Sequence, residues 1–211
     1  YDVWLSWRYS QEPVKFDAPL SFSYSGDHAF YVISKNTAVE MIKHYFEEYG
    51  LKYFIFRLPT IYAYNSNHYY YPNGIKTMRP IYQMIFKAVN GEGLEIWGDP
   101  KFSKDMTYVD DFAQMLCKAI LVNRDNGFYN VGTGIPVTLE EQIRTIADVF
   151  SPKNKLPSIE YKPDKISGGG YLSDVSNAIK ELNYKPEYDV RALFEAYKRE
   201  MNLNTYNDLR K

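Results

Sequence analysis

Apolar positions along this chain recur with two alternating periods, and that alternation predicts strands and helices in succession. The opening Tyr1-Asp2-Val3-Trp4-Leu5-Ser6-Trp7 has the aromatic and β-branched character of a strand. A loop with Pro13, Pro19 and Gly26 follows. Over 31–49 the apolar set Ala38, Val39, Met41, Ile42, Tyr45, Phe46 and Tyr49 returns at helical spacing, and Gly50 supplies a left-handed stop. Tyr53-Phe54-Ile55-Phe56 is a short continuous apolar run, the mark of a parallel strand buried on both faces. Residues 63–75 have no period and predict a loop. A helix is expected over 78–89, with Pro80 near its start and Gly91 past its end. Leu94-Glu95-Ile96-Trp97 alternates like a strand. After it, Asp110 or Asp111 is expected to cap a helix carrying Phe112, Met115, Leu116, Ala119 and Ile120 on one face. Phe128-Tyr129-Asn130-Val131 reads as another strand, closed by Gly132-Thr133-Gly134. Thr138 with Glu141 three residues on predicts a capping box for a helix to about 150. A strand near 159–161 and helices near 175–182 and 189–201 complete an α/β pattern.

Composition narrows the function classes. The chain has 211 residues, 45% hydrophobic and 24% charged, which suits a folded core and excludes a disordered polymer. Lys+Arg number 25 against 26 Asp+Glu, so no basic excess exists to neutralise a phosphate backbone, and no nucleic-acid partner is expected. A single cysteine, Cys117, forms no internal disulfide and reads as a small core residue mid-helix. No apolar run reaches about 18 residues, no membrane partner is expected, and without a signal-peptide pattern the expected setting is cytoplasmic. The 21 tyrosines suit half-buried surfaces and polar pockets.

The sharpest local feature is Tyr31-Val32-Ile33-Ser34-Lys35, a Tyr-x-x-x-Lys at the head of the first helix. Spacing of i,i+4 puts both side chains on one face. An ammonium a few ångströms from a phenol favours the phenolate and lowers a phenol's pKa by roughly 1–3 units, so such a pair can pass a proton to or from a sugar hydroxyl or carbonyl. In a chain this rich in tyrosine and lysine the pair also arises by chance. Other groups read as structural: His28, His44 and His68 lack metal-ligand spacing, and no metal is expected. The Tyr69-Tyr70-Tyr71 run suits stacking on a nucleotide base and covering a loop equally.

Three further segments follow Tyr31-x-x-x-Lys35. They are Arg57-Leu58-Pro59-Thr60-Ile61-Tyr62, then Gly98-Asp99 with Lys104-Asp105-Met106-Thr107-Tyr108-Val109-Asp110-Asp111, then Tyr129-Asn130-Val131-Gly132-Thr133-Gly134. In this order and spacing the chain resembles the extended short-chain dehydrogenase/reductases, the nucleotide-sugar epimerases and dehydratases. The resemblance implies the later part of a doubly wound Rossmann-type parallel sheet with a smaller α/β substrate-binding lobe. Residues 1–62 would belong to the dinucleotide-binding domain and 63–211 to the lobe, with about 108–134 returning to the first.

The same resemblance assigns roles. Tyr31 matches the catalytic tyrosine, and Lys35 the lysine that binds the nicotinamide ribose and activates it. Ser6 stands where a Ser/Thr bonds the reacting oxygen, although Trp7-Arg8-Tyr9 departs from the usual small residues. Pro59 and Ile61 fall in the loop near the nicotinamide. Thr60, where asparagine is common, and Lys104, where arginine is common, fall on the substrate and its diphosphate. Ala63-Tyr64 replaces the usual Gly-Pro. The implied activity is NAD- or NADP-dependent epimerisation of a nucleotide-sugar by hydride transfer, or a related reduction. Dehydration is least favoured, because no Glu/Asp pair adjoins Ser6. The family's Gly-x-x-Gly-x-x-Gly turn, which cradles the pyrophosphate, has no match, so the chain is expected to be a C-terminal portion, inactive alone. The alternative is a non-catalytic binding or regulatory protein that keeps the fold. A homodimer is implied through the first helix, whose Met41, Tyr45 and Tyr49 exceed what one buried face needs.

Overall fold

A computed structural model describes residues 12–18, 25 and 29–203. The expected strand at 1–7, and Ser6 with it, lies outside the described residues, as does His28. The chain divides into two compact units: Tyr1–Ile61, Lys104–Pro136 and Gly169–Glu187 form the first, and Tyr62–Ser103, Val137–Gly168 and Tyr188–Lys211 the second.

In the first unit, α1 (Ala29–Tyr49) ends at Gly50, whose φ of 67° is the left-handed stop. The strand β1 (Tyr53–Arg57) follows. It pairs in parallel with the later strand Asn126–Asn130, from Tyr53 opposite Asn126 to Arg57 opposite Asn130. Alternation along β1 sorts its side chains. Phe54 and Phe56 pack with a core of Met115, Ala119, Tyr129, Val131, Ala178, Leu182 and Tyr184. Each fully buried large side chain there contributes about 1.5–3 kcal/mol. On the other side Phe46 of α1 meets Tyr53 edge-on at 5.5 Å, and the Lys43 ammonium and Arg57 guanidinium lie 5.8 and 4.6 Å from the Phe128 ring.

The second unit contains β2 (Tyr69–Tyr70) and β3 (Thr77–Met78), an antiparallel pair. The loop expected over 63–75 thus holds β2 and a 3₁₀ turn at Pro72–Gly74, and β3 just beyond it closes a hairpin whose strands are too brief to show a period. Met78 belongs to β3, and α2 (Pro80–Asn90) starts at the proline, which is tolerated at a first helical position. Its end is Gly91 at φ 63°. The strand β4 (Leu94–Trp97) follows.

The chain then re-enters the first unit, where α3 (Val109–Leu121) and β5 (Asn126–Asn130) lie. Here two expectations are corrected. The N-cap of α3 is Tyr108 with no side-chain bond, and Asp110 and Asp111 sit in the first turn, where their charge favours the helix dipole. The helix buries Asp111, Met115 and Ala119, an i,i+4,i+8 row. Ile120 lies about 100° further round than that row and is 81% exposed, and Cys117 is exposed on the opposite side instead of in the core.

In the second unit, α4 (Leu139–Phe150) is capped as expected, the Thr138 hydroxyl accepting from the Glu141 N–H at 3.1 Å. The strand β6 (Ile159–Lys162) pairs in parallel with β4, Leu94 opposite Ile159. In the first unit α5 (Ser176–Leu182) packs on α3 and β5. In the second, α6 (Val190–Leu203) packs on α4, where Phe150 meets Phe194 and Tyr197 edge-on.

The expected apolar face of α1 is largely uncovered. Only Ala29 and Val32 are buried in that helix. Met41, Ile42, Tyr45 and Tyr49 are exposed, because no described element packs over them.

Candidate functional site

Tyr31, Lys35, Pro59, Thr60, Ile61 and Lys104 all lie in the first unit, and the Tyr69-Tyr70-Tyr71 run lies in the second. Tyr31 and Lys35 occupy the first two turns of α1, and the Lys35 ammonium stands 5.4 Å from the centre of the Tyr31 ring. The pair is thus brought together by the helix itself. Tyr31 is 46% exposed and Lys35 is exposed, so both heads reach solvent. Ser34 donates its hydroxyl back to the Tyr31 carbonyl at 2.8 Å, which ties up that polar group within the turn.

Pro59, Thr60 and Ile61 follow the carboxyl end of β1, the end at which open α/β sheets bind ligands. Thr60 is exposed and Pro59 half-buried. Ile61 packs against the core cluster around Met115 and Tyr129, so its side chain fills the interior and leaves only its backbone for a ligand. Arg57, at the end of β1, buries one guanidinium nitrogen without a hydrogen-bond partner; burial pushes its pKa down, and Asp17 opposes that shift.

Lys104 lies on a separate segment, half-buried. The residue after it forms a constellation that sequence reasoning missed. Asp105 is 4% exposed. Its Oδ1 accepts from the Thr133 N–H at 2.8 Å and the Thr133 hydroxyl at 2.9 Å, and its Oδ2 accepts from the Gly134 N–H at 2.9 Å. The Ser173 N–H adds another donor. Burial pushes this carboxyl's pKa up, while those donors act to hold it down. Among the described residues no basic side chain pairs with it, so dipoles alone solvate the charge. The turn is closed from outside as well: Tyr184 donates its hydroxyl to the Gly132 carbonyl at 2.8 Å, and the Ser173 hydroxyl donates to Val131 O at 3.0 Å. The sequence signal for this was the small Gly132-Thr133-Gly134 turn, whose partner 28 residues upstream only the fold reveals.

In the second unit the alternation of β4 puts Glu95 and Trp97 on one side. The Trp97 indole donates to Glu95 at 2.6 Å, and Lys165 pairs with Glu95 at 2.8 Å while standing 4.3 Å from the indole ring. These two partners hold the Glu95 carboxyl down to about 2. Among the described residues no group of three or more His, Cys, Asp or Glu is placed to hold a metal ion, and no helix is long and apolar enough to cross a membrane.

Known proteins share this arrangement of elements. The chain is 24% identical over 196 residues to the probable GDP-L-fucose synthase 1 of Oryza sativa subsp. japonica, covering 90% of the chain and 58% of that protein. It is 28% identical over 172 residues to a putative UDP-glucose 4-epimerase of Methanocaldococcus jannaschii, covering 82% and 52%. The chain spans about half the length of the curated relatives it matches. Among solved structures, UDP-N-acetylglucosamine 4-epimerase from Bacillus cereus superposes with a TM-score of 0.67 at 21% identity, covering 88% of this chain and 56% of that one. UDP-glucose 4-epimerase from Thermotoga maritima gives 0.62 at 18%, covering 89% and 60%. At these identities the structures share the fold, a Rossmann-type α/β arrangement. Residues 11–132, more than half of the chain, match the model of the NAD dependent epimerase/dehydratase family, and the chain belongs to that family.

Proposed function

We propose that this chain works as the acid/base portion of an NAD(P)-dependent nucleotide-sugar epimerase, or of a related dehydratase or reductase. The observation that carries this is the solvent-open Tyr31 ring with the Lys35 ammonium 5.4 Å from its centre, on the helix that leads into β1.

The residues present suit one end of a dinucleotide. Tyr31, Lys35 and the backbone of Pro59 and Ile61 offer a phenol, a cation and a strand-end loop to a nicotinamide riboside. The 211 residues contain no Gly-x-x-Gly-x-x-Gly run, so they do not supply the cradle for its pyrophosphate. When bound, the dinucleotide supplies the redox chemistry, accepting and returning hydride at a sugar carbon. This chain's own residues would move the proton and hold the sugar and the ribose. Tyr31, as the phenolate, takes the proton from the sugar hydroxyl at that carbon, becoming the phenol, and gives it back in the reverse step. The Lys35 ammonium holds ribose hydroxyls and places positive charge beside the phenol. Ser6 bonds the same sugar oxygen, Thr60 lines the sugar, and Lys104 offers the diphosphate a point charge in place of a bidentate fork. A second copy docking on the exposed face of α1 completes the proposal.

Tyr31→Phe tests it. In the catalytically competent protein this change should lower kcat by about 10²-fold or more with dinucleotide binding intact, as loss of a general acid/base requires. Near-normal turnover by that variant would show that the proton moves elsewhere.

A further inference from the structure

The Asp105 carboxylate faces away from solvent, yet the segment it organises bears Lys104. Three stretches of chain meet at it. Its own backbone N–H donates to the Tyr171 carbonyl at 2.9 Å, its Oδ1 and Oδ2 gather Thr133 and Gly134, and Ser173 donates to it from the far side. The contacts are close enough to dictate residue type. A Cβ added at Gly132 would stand 2.5 Å from Asp105 Oδ2 and 2.6 Å from Ser173 Cβ. A Cβ added at Gly170 would stand 2.5 Å from Lys104 Cβ and 3.0 Å from its Cδ. The Lys104 stem therefore runs along the backbone of Gly170, one residue before the Tyr171 carbonyl that Asp105 holds.

We propose that Asp105 is a positioning residue for Lys104: by fastening 170–173 to the 132–134 turn, it fixes the wall that aims the Lys104 ammonium at an anionic ligand group. This rests on the diphosphate role of Lys104 proposed above. The carboxylate suits the task because it has no cation of its own to follow. A buried acceptor whose donors come from two separate segments, besides the Thr107 hydroxyl of its own, defines one arrangement, and a half-satisfied one defines none. An amide at this place keeps one acceptor for Thr133 but turns an NH₂ toward the Gly134 N–H, donor against donor. Segments 132–134 and 170–173 then part, and the lysine stem loses its wall.

The experiment titrates UDP, a nucleoside diphosphate, into the chain and into Asp105→Asn, Lys104→Met, their double variant and Gly170→Ala. Acetic anhydride labelling of Lys104, read by mass spectrometry, accompanies the titrations of the unaltered chain, Asp105→Asn and Gly170→Ala. Lys104→Met and Asp105→Asn should each weaken UDP by about tenfold, an ion-pair-sized loss, and the double variant should be no weaker than Lys104→Met alone. Labelling of Lys104 should quicken several-fold in Asp105→Asn relative to the other lysines. Gly170→Ala leaves the carboxylate intact and should weaken UDP as well, so the inference stays testable if Asp105→Asn does not fold. Unchanged UDP affinity and Lys104 labelling in Asp105→Asn and Gly170→Ala would overturn it, as would fully additive losses in the double variant. A wild-type chain that binds no UDP would refute the diphosphate role of Lys104 instead, and the labelling rates would still decide whether Asp105 positions it.

Discussion

Gly132→Ala puts the strongest demand on the polar knot around Asp105. Gly132 has no positive φ, so alanine meets no backbone penalty there and any cost comes from packing alone. The added methyl would lie 2.5 Å from Asp105 Oδ2 and 2.9 Å from Ser173 Oγ, inside any real contact distance. Neither neighbour yields freely, because Oδ2 accepts from Gly134 and Ser173 Oγ donates to Val131 O. Overpacking costs about 1–3 kcal/mol, and a buried carboxylate oxygen robbed of its donor adds about 1–3 kcal/mol. The sum, about 2–6 kcal/mol, is a large share of the 5–15 kcal/mol that holds a domain folded. Urea unfolding followed by circular dichroism measures it, with Gly168→Ala as the control, since nothing lies within 4 Å of that position. The pH dependence has a definite sign. The folded-state pKa of Asp105 is raised, so its contribution is most favourable below about pH 3.9 and falls as pH rises through the folded value. Withdrawing a donor raises that value further, so the deficit should be larger at pH 7 than at pH 4. A Gly132→Ala midpoint matching that of Gly168→Ala would refute the reasoning.

Glu95 offers a second titration. Its carboxyl is held down to about 2 by Lys165 and the Trp97 indole, so whatever this cluster contributes is present above about pH 4.5 and is lost as pH falls through the folded value. The Trp97-dependent fluorescence, isolated by subtracting Trp97→Phe, should change with a midpoint near that value, and Lys165→Met should move it upward; an unmoved midpoint would dissociate Lys165 from Glu95. Association is the other prediction. If a second copy docks on Ile42, Tyr45 and Tyr49, light scattering should show dimers that Tyr45→Glu abolishes, and a clean monomer at tens of micromolar for the unaltered chain would refute the contact.

Elements whose cause is local were legible in the sequence. The run Tyr53-Phe54-Ile55-Phe56 reads as a strand because a parallel strand is apolar on both faces, and β1 follows it to Arg57. Gly50 and Gly91 mark helix ends because only glycine enters the left-handed region without strain, and both do. The i,i+4 geometry of Tyr31 and Lys35 is equally local. What failed depended on partners far along the chain. The α3 pattern holds apolar residues on two adjacent faces, Met115 and Ala119 on one and Leu116 and Ile120 on the next. The buried face was chosen by Asp111, whose carboxylate accepts from the Glu187 N–H at 2.8 Å across 76 residues. Hydrophobicity alone ranks Ile120 above Asp111 and so puts Cys117 and Ile120 inside. The Asp105 knot was hidden for the same reason. Aspartate, threonine, glycine and serine look like ordinary loop residues until the fold brings 105, 133, 134 and 173 together, and only then does burial make each donor obligatory.

The two uses proposed for α1 constrain each other. Tyr31, Lys35, Ala38, Ile42, Tyr45 and Tyr49 are spaced by alternating fours and threes, which places them along one face of the helix. The proton-transfer pair therefore shares its face with the exposed apolar residues, and a partner that covered the whole face would shut the pair away from substrate. The helix rise resolves the conflict. At 1.5 Å per residue, Ile42 lies about 16 Å along the axis from Tyr31, and Tyr49 about 27 Å. A partner seated on Ile42, Tyr45 and Tyr49, where the Tyr45 and Tyr49 rings already stand 5.5 Å apart, leaves the first two turns open. The chemistry of the face changes at the same point: a phenol and an ammonium occupy the amino-terminal turns, and exposed aliphatic and aromatic side chains the carboxyl-terminal ones. Burial of the second half and exposure of the first is thus the arrangement in which every side chain on this face finds a suitable environment.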